Sequence, residues 1–314
     1  MLPNFPFRVE VEVISACNLS CTYCYAKPFT GEAVKFENLE YLFKKTKEEV
    51  DPFTVIILGG EPFLRKDIIK VLDLANSIFG GNIGVSSNGT MFDRLSKNEL
   101  STLKMMSERI PIVQISFDSI IPEINDLTRG KTGSTIGGLE ILERNQIKFT
   151  VGIVVNNLVI ESIPYSVEKL LSKYTYLKSI NLEELQMSTS LGDYGFTSLK
   201  PSSDKINKVN IEVKNIISKL KRKDVRLTGM IDNNSNEIKE MITSKWKDNS
   251  EKLAEITRAG VFVNGDVSTG AIVRDKVLGN LYRDSWREIW KKAIDNFLTK
   301  KQESGTLVNI KNKI

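Results

Sequence analysis

The chain of 314 residues is 41% hydrophobic and 26% charged, which is the composition of an ordinary globular protein with enough apolar side chains for a sizeable core. The net charge of +5 is too small to indicate nucleic-acid binding by itself, and three cysteines so close in sequence are poor candidates for the disulfide framework of small secreted domains. The sequence contains neither a signal-peptide pattern nor an apolar run of about 18 residues, so we expect a cytoplasmic protein that does not enter a membrane.

A strand-then-helix pattern repeats six times in the first two thirds of the chain. Apolar residues at helical spacing, for example between Leu64 and Phe79, separate segments rich in β-branched residues. This pattern predicts an α/β fold with a partial (β/α)6, TIM-like barrel over residues 1–200, whose functional groups lie at the C-terminal ends of the strands. The predicted strands are 7–14, 53–58, 82–87, 111–117, 148–155 and 178–185.

Residues 201–314 are predicted to form a smaller α+β region. A Lys-rich, helix-like run over 204–225 comes first, followed by a polar stretch and a second helix-like segment. Asn264-Gly265 between alternating apolar residues predicts a β-hairpin, and residues 285–297 predict an amphipathic helix.

All the cysteines, Cys17, Cys21 and Cys24, directly follow the first predicted strand. Structural zinc prefers four cysteine or histidine ligands, and this chain offers three cysteines and no histidine, so zinc is disfavoured. A [4Fe-4S] cluster held by three thiolates would keep one iron without a protein ligand, and that iron could bind a small molecule through its amine and carboxylate.

Short motifs follow the second and third predicted strands. Gly59-Gly60-Glu61-Pro62 comes first: its glycines let backbone approach a ligand closely, and Glu61 can accept hydrogen bonds. The same four residues also suit an ordinary βα turn that proline closes at a helix start. Ser86-Ser87-Asn88-Gly89-Thr90 follows the third strand.

Two further motifs follow the fourth predicted strand. Ser116 and Asp118 lie on one side of an extended segment, although serine and aspartate also cap helices routinely. Arg129-Gly130 precedes the next helical segment, and its arginine could equally be an ordinary surface residue.

Together these segments resemble the radical S-adenosylmethionine (SAM) superfamily over about residues 8–190. CNLSCTYC has the CxxxCxxC signature of the family, including the aromatic Tyr23 before the last cysteine, and the GGE, TNG-like and S-x-D segments stand at consecutive strand ends. The resemblance implies a [4Fe-4S] cluster whose open iron chelates the methionyl part of SAM. One electron then cleaves the S–C5′ bond and releases a 5′-deoxyadenosyl radical, which abstracts hydrogen from the substrate.

The resemblance also implies roles for individual residues. Cys17, Cys21 and Cys24 would bind the cluster, Glu61 would accept hydrogen bonds from the SAM ammonium group, and Arg129 would pair with the SAM carboxylate. Ser116 and Asp118 would reach the SAM carboxylate or ribose. The full implied cofactor-binding set is Tyr23, Gly59, Gly60, Glu61, Ser86, Asn88, Ser116, Asp118 and Arg129.

The C-terminal region resembles a degenerate SPASM or twitch domain. The segment from Thr257 to Gly270, followed by 278–281 and 286–290, has the framework that carries auxiliary iron–sulfur clusters in relatives. Thr257 and roughly Gly270 stand where those relatives have cysteines, so we expect a single cluster and a region that closes the barrel as a lid or merely covers its bottom.

The absence of histidine limits proton transfer to Glu, Asp, Lys, Tyr or water. Glu183 and Glu184, near the end of the sixth predicted strand, are candidates for the barrel interior together with Gln186 and Met187. Alternation along the strand turns one glutamate inward and the other outward, and we favour Glu183 as the inward, catalytic residue. Glu10 and Glu12 share one face of the first strand, and for them we favour a structural role.

We therefore expect a radical SAM enzyme that acts on a peptide or protein side chain or on a small metabolite, with a one-electron reductant such as ferredoxin or flavodoxin as partner. Two alternatives stay open. One is modification of a nucleotide or tRNA, which rests only on the mild positive charge and the Lys-rich run. The other is a non-catalytic, cluster-bearing scaffold, although a scaffold has no need of intact motifs.

Overall fold

The computed structural model describes residues 5–185, 196–222, 224–229, 257–270, 273–274 and 276–303. Ten strands in these ranges form one sheet. They are β1 (Arg8–Ile14), β2 (Thr54–Gly59), β3 (Ile83–Ser87), β4 (Val113–Ser116), β5 (Phe149–Val155), β6 (Leu177–Glu184), β7 (Arg226–Gly229), β8 (Arg258–Val261), β9 (Asp266–Ser268) and β10 (Gly279–Asn280).

The strands run in the order β10-β9-β8-β1-β2-β3-β4-β5-β6-β7. Pairs from β8 through β1 to β7 are all parallel, whereas β9 pairs antiparallel with both β8 and β10. The six predicted strands are confirmed, and so is the α/β, partial-barrel fold class. The sheet is nevertheless larger than predicted, because β7 and β8 from the C-terminal region join its parallel part at both sides.

Helices lie between the consecutive parallel strands from β1 to β7, as expected for βα units. The helices of the described ranges are α1 (Phe36–Glu49), α2 (Ile68–Phe79), α3 (Lys97–Met106), α4 (Pro122–Thr128), α5 (Thr132–Arg144), α6 (Ile163–Lys173), α7 (Ser203–Leu220) and α8 (Trp286–Glu303).

Strand β1 shows how the sequence separates the core from the barrel interior. Val9, Val11 and Val13 belong to the hydrophobic core, while Glu10 and Glu12 alternate with them on the opposite face. Both faces of β1 are buried, and its side chains divide between an apolar core and a polar interior, so the interior wall of the barrel at β1 carries two glutamates.

The C-terminal region contributes a hairpin and two helices. The predicted hairpin is confirmed: β8 and β9 pair around Asn264-Gly265, where Gly265 has φ +84°. Helix α7 is shorter than the predicted 204–225, because Lys221 adopts the left-handed conformation and the chain then enters β7. Strands from both sides of residue 200 share one sheet, and the predicted domain boundary there stays a prediction.

Helix α8 packs on the first helix of the barrel. Trp286 and Trp290 are fully buried, and Trp286 Nε1 donates to Thr46 Oγ1 of α1 at 3.1 Å. Burial of each large apolar side chain contributes about 1.5–3 kcal/mol to the free energy of folding, so the two tryptophans together contribute several kcal/mol. The C-terminal helix is therefore fixed to the same core as the barrel.

Some expectations concern residues outside the described ranges. Gln186, Met187, the polar stretch at 232–237 and the second helix-like segment lie there. Among the described helices, none combines the length and apolar character that a membrane span needs.

Candidate active site

The cysteine loop leaves β1 at the C-terminal edge of the sheet. Cys17, Cys21 and Cys24 are all free and half-buried. Cys17 Sγ accepts from the backbone N–H of Leu19 at 3.4 Å and lies 3.9 Å from Asn88 Nδ2. Burial raises the pKa of Cys17 to about 11 and also raises that of Cys21. These two thiols therefore stay protonated at neutral pH, and metal binding would displace their protons.

Three soft sulfur donors on one loop suit an iron–sulfur cluster. Within the described ranges, no three Cys, Asp or Glu side chains form a group that could hold a single metal ion. A [4Fe-4S] cluster makes a different demand, because each thiolate binds its own iron and the sulfurs need not converge on one point. The donor set therefore fits such a cluster.

The glycine pair after β2 lies directly against the cysteine loop. A Cβ atom on Gly59 would stand 2.2 Å from the Ile14 carbonyl oxygen, and one on Gly60 would stand 2.1 Å from that of Ala16. Gly60 N–H donates to Ile14 O at 2.8 Å, and Glu61 N–H donates to Ala16 O at 2.7 Å. The glycines are thus required for backbone packing within the protein, a reason that the sequence alone did not reveal.

Glu61 is fully buried and joins three elements of the site. Its carboxylate accepts from Phe63 N–H at 2.9 Å, from Ser87 Oγ at 2.9 Å and from Asn88 N–H at 2.6 Å. Burial raises its pKa to about 7, against the lowering effect of these donors. A carboxylate has about four acceptor positions, so one position remains for the predicted ammonium contact, which stays a prediction.

The segment after β3 connects to the cysteine loop through amide side chains. Asn88 Nδ2 donates to Asn18 Oδ1 at 2.9 Å, and Asn18 Nδ2 donates to Thr90 Oγ1 at 2.8 Å. Sequence reasoning missed Asn18, whose position between two cysteines was the available signal. Asn88 consequently lies beside Cys17, and its predicted contact with SAM stays a prediction.

Ser86 and Ser116 occupy half-buried positions on neighbouring strands. Ser116 shares a strand face with Gln114, and Ser86 is the register partner of Gln114 on β3. Both serines therefore line the barrel interior near its C-terminal edge, and their roles toward SAM stay predictions.

Asp118 is a fully buried acceptor that organises the opposite side of the cysteine loop. Tyr23 OH donates to Oδ2, Thr128 Oγ1 donates to Oδ2 at 2.9 Å, and Val154 N–H donates to Oδ1 at 3.0 Å. Burial raises the pKa of Tyr23 well above its usual value, so the phenol keeps the proton that it donates. Asp118 is thereby occupied by protein donors, and its predicted contact with SAM stays a prediction.

Arg129 is held between Asp118 and Tyr23. Its Nε lies 2.9 Å from Asp118 Oδ1, and its guanidinium carbon lies 5.4 Å from the centre of the Tyr23 ring. Burial alone would lower the pKa of Arg129, but the charge of Asp118 raises it, and the side chain stays cationic. The side chain is only 11% exposed, and its buried Nε meets Asp118 as an ion pair without a hydrogen bond of regular geometry among the described residues.

The 128–131 segment and a nearby lysine also hold the cysteine loop through its backbone. Thr22 N–H donates to Thr128 O at 2.9 Å, Lys131 Nζ donates to Asn18 O at 3.1 Å, and Lys27 Nζ donates to Cys21 O at 2.8 Å. The sequence motifs did not identify these lysines, because their contacts go to carbonyl oxygens that any residue type supplies.

Polar side chains line the barrel interior below this edge. Gln114 Nε2 donates to Glu183 Oε1 at 2.9 Å, and Asn181 Nδ2 donates to Gln114 Oε1 at 2.6 Å. Glu183 is accessible to water but enclosed by the barrel wall, and this partial desolvation raises its pKa. Glu183 thus lies beside the amide groups of the interior wall, and its catalytic role stays a prediction.

The glutamates of β1 form ion pairs at the interior wall. Glu10 lies 2.9 Å from Arg8, and the 1% exposed Glu12 lies 2.7 Å from Arg274 of the C-terminal region. Thr257 accepts from Phe7 and Arg8 N–H through its carbonyl. These contacts join the C-terminal region to the barrel and agree with the structural role expected for Glu10 and Glu12.

A parallel partial barrel with a three-cysteine loop at its C-terminal edge defines an iron–sulfur enzyme class, and comparison identifies the family. Residues 11–170, just over half of the chain, match the model of the Radical SAM superfamily, so the chain belongs to that superfamily.

Known relatives are similar to parts of the chain. It is 34% identical over 132 residues to the antilisterial bacteriocin subtilosin biosynthesis protein AlbA of Bacillus subtilis, covering 41% of this chain and 28% of that protein. It is 26% identical over 192 residues to a probable GTP 3′,8-cyclase of Thermoplasma volcanium, covering 59% and 57%. The chain thus spans less than two thirds of the length of these relatives.

The fold is also similar to a solved structure. SuiB of Streptococcus suis bound to precursor peptide SuiA superposes with a TM-score of 0.70 at 16% identity, over 92% of this chain and 65% of SuiB. At this identity the similarity concerns the fold alone.

Proposed function

We propose that this chain reductively cleaves SAM at a single [4Fe-4S] cluster and directs the resulting 5′-deoxyadenosyl radical to a hydrogen atom of a peptide or protein side chain. One observation carries the proposal: the only cysteines of the chain lie on one loop that the Glu61, Asn88 and Asp118–Arg129 contacts all support. Membership of the radical SAM superfamily supports it, because that family uses this cluster and cofactor.

The proposed cluster ligands are Cys17, Cys21 and Cys24. This chain has no fourth cysteine and no histidine, which leaves one iron position for SAM. The ammonium groups of Lys27 and Lys131 hold loop carbonyls, so the loop keeps its path around the thiols.

The proposed SAM contacts come from side chains whose other ends are already fixed. Asp118 pairs with the Nε side of Arg129, and we assign the Nη side of the guanidinium group to the SAM carboxylate. Glu61 has an acceptor position left for the ammonium group. Because these side chains are already held in place, less conformational entropy is lost when SAM binds.

The interior of the barrel favours a peptide substrate. Arg8 and Arg274 are paired with Glu10 and Glu12, so the described wall offers paired charges and amide groups rather than a cluster of free cations. AlbA is named for bacteriocin biosynthesis, and SuiB was solved with a precursor peptide, which supports the same substrate class.

A nucleotide substrate is the second candidate, and the similarity to GTP 3′,8-cyclases favours it. Exposed Arg258 on β8, which faces Arg8, could contact a phosphate. The test is GTP binding to the reconstituted protein. Saturable binding whose affinity falls at least tenfold in Arg258→Gln would favour the nucleotide substrate over the peptide.

The remaining parts of the proposal concern the surroundings of the enzyme. A ferredoxin- or flavodoxin-type protein would deliver the single electron that SAM cleavage consumes. Three free thiols placed for a cluster require a reducing compartment, so we propose a cytoplasmic location.

The test compares two variants of the cysteine loop. The wild-type protein, Cys21→Ala and Ser20→Ala are reconstituted anaerobically with iron and sulfide, and 5′-deoxyadenosine is measured after SAM and dithionite are added. Ser20 is an exposed neighbour in the same loop, so its substitution is the matched control. We expect about four irons per chain and 5′-deoxyadenosine from the wild type and Ser20→Ala, and neither a full cluster nor product from Cys21→Ala.

The proposal is wrong if the wild type takes up no cluster, or if Cys21→Ala cleaves SAM as fast as Ser20→Ala does. Iron content and visible absorbance show whether an inactive variant has lost its cluster or carries the cluster and does not react.

A further inference from the structure

A row of polar side chains crosses the barrel interior from β7 to β4. Thr228 Oγ1 donates to Asn181 Oδ1 at 2.5 Å, and Asn181 Nδ2 donates to Gln114 Oε1 at 2.6 Å. Gln114 Nε2 then donates to Glu183 Oε1 at 2.9 Å. Each donor in the row is directed toward Glu183, so the dipoles reinforce one another and favour an ionised carboxylate at its end.

The other oxygen of that carboxylate is unused. Glu183 Oε2 has no hydrogen-bond partner in the part of the chain that the structure describes, and the side chain is accessible to water within the barrel. An ionised carboxylate can only accept hydrogen bonds. A substrate that enters the barrel therefore meets a fixed acceptor near the C-terminal edge of β6.

Building on the function proposed above, we propose that Glu183 Oε2 accepts a hydrogen bond from an N–H group of the substrate, and that Gln114 is the positioning residue that orients this carboxylate. The substrate class is thus a molecule that presents an amide or ammonium N–H to the barrel wall, as a peptide backbone or a lysine-like side chain does.

The surrounding charges agree with this class. Burial raises the pKa of Glu183, whereas the charges of Arg129 and Arg8 and the hydrogen bond from Gln114 oppose that rise and favour the ionised carboxylate. A substrate carboxylate or phosphate at Oε2 would face like charge, whereas an N–H donor would not. The titratable and charged groups that act on Glu183 are Arg129, Arg8, Arg258, Asp118 and Tyr25.

Gly152 on β5 provides the space for the contact between Gln114 and Glu183. A Cβ atom at this position would stand 2.8 Å from Gln114 Nε2 and 3.1 Å from Glu183 Oε1. The substitution Gly152→Ala therefore pushes the amide away from the carboxylate without altering either side chain chemically. Gly137 in α5 is the matched control, because a Cβ there would meet nothing within 4 Å.

The positioning role is tested by the pKa of Glu183 in the full chain with its cluster reconstituted and oxidised. Carboxyl-carbon NMR on glutamate-labelled protein gives the titration, and Glu183→Gln identifies the signal by its loss. We expect the pKa of Glu183 to rise by about 1 pH unit in both Gln114→Leu and Gly152→Ala, because a charge-assisted hydrogen bond is lost, and to stay unchanged in Gly137→Ala. An unchanged pKa in folded Gln114→Leu refutes the positioning role.

The substrate class is tested on the same signal with three small probes. We expect N-methylacetamide or methylammonium to shift the Glu183 carboxyl resonance saturably, and acetate to leave it unchanged. A shift with N-methylacetamide indicates a backbone amide as the natural donor, and a shift with methylammonium indicates an amine. A saturable shift with acetate, or none with either donor, overturns the assignment. No SAM or reductant is added, so failure here is distinct from failure to cleave SAM.

Discussion

The substitution Asp118→Asn should strongly destabilise the protein, because it removes the charge that faces a buried arginine. Asp118 is fully buried, and the side chain of Arg129 beside it is 11% exposed. Loss of one member of a buried ion pair costs about 3–5 kcal/mol, since the remaining charge keeps its desolvation penalty. The new amide group also presents N–H donors to the hydroxyl of Tyr23 or Thr128. We therefore expect the free energy of unfolding to fall by about 3–5 kcal/mol.

Urea unfolding of cluster-free protein, followed by circular dichroism, measures this change. Asp73→Asn, at an exposed position of α2, is the control and should stay within about 0.5 kcal/mol of wild type. The double variant Asp118→Asn/Arg129→Met should lose less than the two single losses combined, by about 1–3 kcal/mol, because the uncompensated charge is gone. Additive losses, or a loss below about 1 kcal/mol in Asp118→Asn, would refute the buried-pair reasoning.

Three further predictions concern other parts of the site and fold. Gly60→Ala should lower the free energy of unfolding in urea by about 2 kcal/mol or more and reduce iron uptake on reconstitution, because its Cβ displaces two backbone hydrogen bonds to the cysteine loop. A free energy of unfolding equal to that of Gly137→Ala would contradict this. The stabilising contribution of Glu61 is complete below its ordinary pKa of 4.5 and is lost as pH rises through its folded pKa of about 7. The unfolding free energy of the wild type should therefore fall between pH 4.5 and 8, and that fall should be smaller by about 3 kcal/mol in Glu61→Gln. Identical pH profiles of the two proteins would rule this out. Ser96→Ala, which removes the capping box with Glu99 at the start of α3, should cost about 1 kcal/mol of unfolding free energy without changing cluster content; a change below about 0.3 kcal/mol would show that the cap is not needed.

The barrel and its motif positions were predictable from sequence because both depend on local patterns. Alternation in β1 and helical spacing in α2 are visible within a few residues, and the structure confirms them. The motif residues follow strands, and parallel strands bring their C-terminal ends to one edge. Glu61, Asn88 and Asp118 therefore lie around the cysteine loop, as their order along the chain indicates.

Other features depend on contacts between distant segments and left no local signal. Strand β7 has only four residues and is stabilised by pairing with β6, so its own sequence reads as a continuation of the preceding polar run. Lys27 and Lys131 bind carbonyl oxygens of the cysteine loop, and such contacts require no particular partner sequence. The engagement of Asp118 by protein donors likewise depends on Tyr23, which lies 95 positions earlier in the chain.

The tight contact between Gly60 and the carbonyl of Ala16 has an evolutionary consequence. Any side chain at position 60 collides with main-chain atoms of Ala16 and Cys17, so no change of side chain at those two positions can relieve the collision. Homologues should therefore retain glycine at position 60, and mutational scanning should show that no other residue is accepted there, whatever stands at position 16.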